Sequence, residues 1–110
     1  MELTLIRSLM DKEFYDDHRG SRCPTRLFSK DVRKIKESID TAMDRYERTV
    51  TPDEVEALFM ANNPTLTTAQ KQGYVSMFSS IKREQPMGSD IAQEVLSKLF
   101  RRLLAKMLLT

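Results

Sequence analysis

The sequence predicts an all-α fold, a compact bundle of about five to six helices ending in a long C-terminal helix. Three observations carry that prediction. Apolar residues recur at alternating steps of three and four from Phe28 to Tyr46, a spacing that forms one stripe on an α-helix and would scatter on a strand. Helix-start chemistry stands at a segment boundary, most clearly in Thr51-Pro52-Asp53-Glu54. Three glycines and four prolines in 110 residues are few for an all-β chain, which turns every few residues. A mix of 40% hydrophobic and 31% charged residues is globular rather than disordered, and the length suits one domain with a single core.

Each element has its own signal. Residues 2–10 read as a first helix with Leu3, Ile6 and Leu9/Met10 on one face. The following KEFYDDHRG adds a short second helix, Phe14 and Tyr15 inward, ending near Gly20. A loop follows over 20–25, since Pro24 disfavours helix at Cys23. The long segment LFSKDVRKIKESIDTAMDRYER places Phe28, Val32, Ile35, Ile39, Ala42/Met43 and Tyr46 on one stripe. Ser29 is positioned as its N-cap, accepting a hydrogen bond from the backbone N–H of Val32 or a neighbour.

After a short break (TVT), Thr51 caps the next helix. Pro52 sits where its missing N–H costs nothing, and Asp53 and Glu54 face the positive end of the helix dipole. Glu54, three residues after Thr51, completes a capping box. A link this short makes the two helices fold back on each other. Residues 61–66 read as a turn, and Thr67 or Thr68 caps a helix over 69–83 with Tyr74, Met77/Phe78 and Ile81 on its inner face. Gly73 weakens that helix by roughly 1 kcal/mol relative to alanine, and a close helix crossing is the expected reason for it. Gln85-Pro86-Met87-Gly88 then divides a helical head (1–85) from a C-terminal arm (86–110).

The arm, started by Ser89 with Asp90, is the most apolar segment. Ile91, Val95, Leu99, Leu103 and Met107 form a stripe, widened past half the circumference by Leu96, Phe100, Leu104, Leu108 and Leu109. A helix this apolar is buried on more than one side, and another copy of the chain is the natural cover. Two alternatives stay open: a core helix with a frayed tail, and a basic amphipathic helix on a membrane surface or in a calmodulin-like groove. The basic residues Lys98, Arg101, Arg102 and Lys106 meet no acid after Glu94.

A net charge of +2 is too small to imply nucleic-acid binding by itself, but its distribution is uneven. Residues 19–36 hold Arg19, Arg22, Arg26, Lys30, Arg33, Lys34 and Lys36 against Asp31 alone. Residues 37–56 reverse the balance, with Glu37, Asp40, Asp44, Glu47, Asp53, Glu54 and Glu56 against Arg45 and Arg48. This is either a solvated surface paired with its neighbours or a patch for phosphate or an acidic partner, centred on Arg19, Arg22, Arg26, Arg33 and Lys34.

The single cysteine, Cys23, excludes an internal disulfide and fits a reducing compartment. With no leader pattern and no apolar run near 18 residues, a soluble cytoplasmic protein is expected. Phosphate-loop, dinucleotide and zinc-protease motifs are missing. His18 beside Asp16 and Asp17 is too thin for an acid-base or metal centre. The expectation is therefore no enzyme, no cofactor and no metal. The seven methionines read mainly as core fillers.

The helix order resembles the N-terminal domain of DnaB-type replicative helicases, particularly the phage T4-like branch. ELTLIRSLMDKEFYDD is similar to that family's opening aliphatic helix and acidic-aromatic turn. RLFSKDVRKIKESIDTAMDRYERTVTPDEVEALF resembles its phenylalanine-led long helix, gap and capped short helix. SDIAQEVLSKLFRR resembles the first arm of the hairpin after the head. The likeness covers residues 2–102; the tail LLAKMLLT departs from the family pattern, and the second arm is not in this sequence.

The resemblance implies a non-catalytic domain of a phage or bacterial helicase whose motor lies elsewhere. It further implies assembly into the collar of a ring, on which primase or a helicase loader docks. Self-association is expected through Ile91, Val95, Leu99 and Leu103. The alternative is a stand-alone nucleic-acid-binding or helicase-loading accessory protein that makes weak single-strand contacts through the basic patch. No membrane partner is expected from the first reading.

Overall fold

The structure, a computed structural model, describes residues 2–18, 25 and 28–109, with only the backbone described at 89, 100, 103, 104 and 106–109. Six helices follow in order: α1 (Glu2–Leu9), α2 (Lys12–His18), α3 (Lys30–Tyr46), α4 (Pro52–Asn62), α5 (Thr68–Arg83) and α6 (Ser89–Leu109). The described residues include no strand, and the fold is the expected all-α bundle. α1 is its hub, packed against α2, α3 and α5, while α3, α4 and α5 lie side by side in chain order. α6 packs on α2.

The predicted stripes build the core. Leu5, Ile6, Leu9 and Met10 of the α1 region meet Val32, Ile35, Ile39, Ala42 and Met43 of α3, all buried. Val55 and Phe59 from α4 and Tyr74, Phe78 and Ile81 from α5 complete it. Phe59 packs against Tyr74 at 4.5 Å and Phe78 at 5.7 Å between ring centroids, both tilted, which suits the ring quadrupoles.

Polar contacts fix the connections. The link between α3 and α4 is pinned to the α1–α2 turn: Val50 N donates to Met10 O at 2.9 Å, and Lys12 N to the Thr49 hydroxyl at 2.9 Å. At the start of α4 the capping box is complete, Glu54 N donating to Thr51 Oγ1 at 3.1 Å and Thr51 N to Glu54 Oε1 at 3.0 Å. α5 has the same device, which sequence reading placed only as far as the cap: Thr67 and Gln70 form a second capping box.

Three local expectations are corrected. Ser29 holds the N-cap position of α3 but its side chain makes no cap bond. Its N–H and hydroxyl instead donate to the Glu2 carboxylate, at 2.7 and 3.1 Å, charge-assisted bonds that tie the start of α3 to α1. Tyr46 lies outside the core, 48% exposed. α3 ends there, and Glu47 turns the chain through a left-handed conformation (φ 52°), so the last turn is left uncovered. Gly73 stands at no close crossing: a Cβ added there would meet nothing within 4 Å.

Candidate interaction surface

α6 is positioned by an anchored root. Thr4 Oγ1 donates to Glu84 Oε2 at 3.0 Å, the Ser8 hydroxyl donates to Thr4 O at 2.9 Å, and that hydroxyl accepts from Met87 N at 2.7 Å. The 85–88 break is thus tied to α1. Beyond it, Ala92 and Leu96 turn inward and are buried, while Val95 and Leu99 pack partly against the core. Ile91 is 58% exposed. Of the expected self-association residues, Ile91 faces solvent and Val95 and Leu99 divide their surface between the body and solvent. The side chain of Leu103 lies outside the described residues. Lys98, Arg101 and Arg102 are exposed along the same helix.

The structure describes only part of the basic run. Arg19, Arg22 and Arg26 lie outside the described residues, whereas Lys30, Arg33 and Lys34 are exposed on α3. Arg33 Nε donates to Phe28 O at 2.7 Å. Lys36, counted with them by sequence, is buried. Its ammonium pairs with Asp40 at 3.0 Å, and the same carboxylate accepts from Tyr15 Oη at 2.6 Å. This is the arrangement a buried charge requires, and it removes Lys36 from any surface patch.

The Asp16–Asp17–His18 cluster lies at the end of α2. Lys12 pairs with Asp16 at 2.6 Å one turn away. His18 is buried, stacked on Phe14 with ring centroids 4.3 Å apart and Nδ1 3.0 Å from Phe14 O. These are packing roles. Among the described residues, no group of three or more His, Cys, Asp or Glu is placed to hold a metal ion, and no helix is long and apolar enough to cross a membrane.

A feature that sequence reading did not find is an open groove of about 470 Å³ between the end of α3 and the start of α4. Ala42, Val50 and Val55 are its buried floor, and Tyr46, Ala57 and Leu58 its apolar walls. The Arg48–Glu54 ion pair, 2.6 Å, closes one side. Hydrogen bonds from the Arg48 guanidinium and then from the Thr51 backbone hold the Glu54 carboxyl down to about 2, so it is ionised at neutral pH. The guanidinium also sits 5.9 Å from the Tyr46 ring centroid. Glu54, Ala57 and Leu58 share one flank of α4, with Val55 at its buried edge.

Comparison of the chain with protein-family models, with curated proteins and with solved structures finds no match.

Proposed function

We propose that this chain is a non-catalytic helical interaction domain and that α6 is its self-association arm. The observation that carries the reading is the position of Ile91. It is a large aliphatic side chain, 58% exposed, continuous with the half-buried Val95 and Leu99 on a helix whose remaining sequence is dominated by leucine. Such a surface on a small monomer favours burial against another chain. The helix order, through its likeness to the N-terminal domain of DnaB-type helicases, supports a more specific reading. On it, the domain contributes to the collar of a replicative helicase and docks primase or a helicase loader.

Sedimentation over a range of concentrations tests the association. A species larger than the monomer should grow with concentration, and Ile91→Asp should abolish it, because a charge on a dry contact is costly. A monomer at every concentration overturns the reading.

A second reading, a nucleic-acid-binding accessory protein, is favoured by the exposed cations Lys30 and Lys34 on α3 and Lys98, Arg101 and Arg102 on α6. It requires single-strand binding that falls steeply with salt, since each neutralised phosphate releases counterions. Absence of binding at low salt removes it.

A further inference from the structure

We propose that the α3–α4 groove is the receptor for α6 of a second copy of this chain; the inference rests on the self-association reading and names the surface the arm meets. The groove has the form that a helix-in-groove contact uses, an apolar floor between two helical walls. Its floor of Ala42, Val50 and Val55 is buried and wholly apolar, and its wall residues Tyr46 and Ala57 stand exposed. A volume of about 470 Å³ accommodates more than one apolar side chain, as a helix presents at spacings of three and four.

Charge selects the occupant. The end of the hairpin that carries the groove exposes four acids, Asp44, Glu47, Asp53 and Glu54, against two cations, Arg45 and Arg48. Asp53 is satisfied by Lys82 at 2.8 Å and Glu54 by Arg48, but Asp44 and Glu47 have no ion-pair partner among the described residues. After Glu94, α6 carries Lys98, Arg101, Arg102 and Lys106 with no acid. An apolar, cationic helix matches an apolar groove with acids beside it, and complementarity of this kind sets orientation as well as encounter rate.

The arm of the same protomer is engaged elsewhere, since Ala92 and Leu96 are buried where α6 packs on α2. Arm and groove are different surfaces, so each copy offers one of each. Reciprocal exchange of arms closes a two-fold dimer, and one-way engagement grows into a ring or an open array.

Complementation between variants tests this. Ala57→Arg places a cation in the groove wall at an exposed position, Tyr46→Lys does the same from α3, and Ile91→Asp disables the arm. Thermal melts followed by helicity check that each variant is folded. Each variant alone should lose self-association by at least about tenfold in dissociation constant. An equimolar mixture of Ala57→Arg with Ile91→Asp should regain a 1:1 complex, because one partner still has its arm and the other its groove. Folded groove variants that associate like the wild type, with Ile91→Asp monomeric, overturn the groove and leave the self-association reading standing. Failure of the mixture to pair likewise overturns the groove. A wild type that is monomeric throughout overturns both.

Discussion

α3 and α6 are both amphipathic, yet they meet opposite surroundings. Along α3, Val32, Ile35, Ile39, Ala42 and Met43 are all buried, because α1 and α4 close over the stripe from two sides. Along the described part of α6 only Ala92 and Leu96 are buried. α2, seven residues long, is too short to cover a helix of 21 residues. Periodicity therefore identifies which face of a helix is apolar, while the neighbours decide whether that face is closed within the protomer. The capped start of α4 and the pinned 47–51 link extend the same contrast, since they hold α4 against α3 from the side.

The comparison can be broken most sharply in the core. Ile39→Ala should destabilise by about 2–5 kcal/mol, the transfer loss plus the cavity left in a packed interior. Ile91→Ala should fall within about 0.5 kcal/mol of wild type. Urea unfolding of dilute protein measures both, and equal effects would show α6 to be as enclosed as α3. Next in size is the cap. Thr51→Ala removes the hydroxyl that accepts from Glu54 N and should cost about 1 kcal/mol, read from the denaturation midpoint at unchanged slope. The smallest effect has the opposite sign. Gly73→Ala should stabilise by about 0.5–1 kcal/mol, because the added methyl meets open space in α5; a destabilised variant would reveal a neighbour that covers that position.

The elements most legible in the sequence are those whose determinants are local. The Thr51–Glu54 box and the α3 stripe from Val32 to Met43 are written within a few residues of where they act, and the structure reproduces both. The Thr67–Gln70 box was equally local, but a glutamine three residues after a threonine stands out less than a glutamate. What escaped depends on distant partners. Ser29 donates to Glu2 of α1 rather than capping α3, and Lys36 is buried against Asp40, whose carboxylate Tyr15 also holds. Tyr46 fits the stripe by spacing, yet the helix ends under it.

The groove was the least legible feature. Ala42, Tyr46, Ala57 and Leu58 converge only when the hairpin has closed, and no one of them is unusual for a helix. The apolar character of the arm is plain from its composition, but its inward face is centred on Ala92 and Leu96 with Val95 and Leu99 beside them, and Ile91 is left outside it.

That segment has a mechanical consequence. With Glu84 held by Thr4 and Met87 held by Ser8, two bolts join the root of α6 to the hub of the bundle. The arm therefore leaves as a spoke with a set bearing, not as a float on a string. If successive copies engage through it, the pitch and closure of the resulting array are dictated by how α1 sits in each body. Loosening Ser8 or Thr4 would disperse assembly size before it altered the affinity of any single contact.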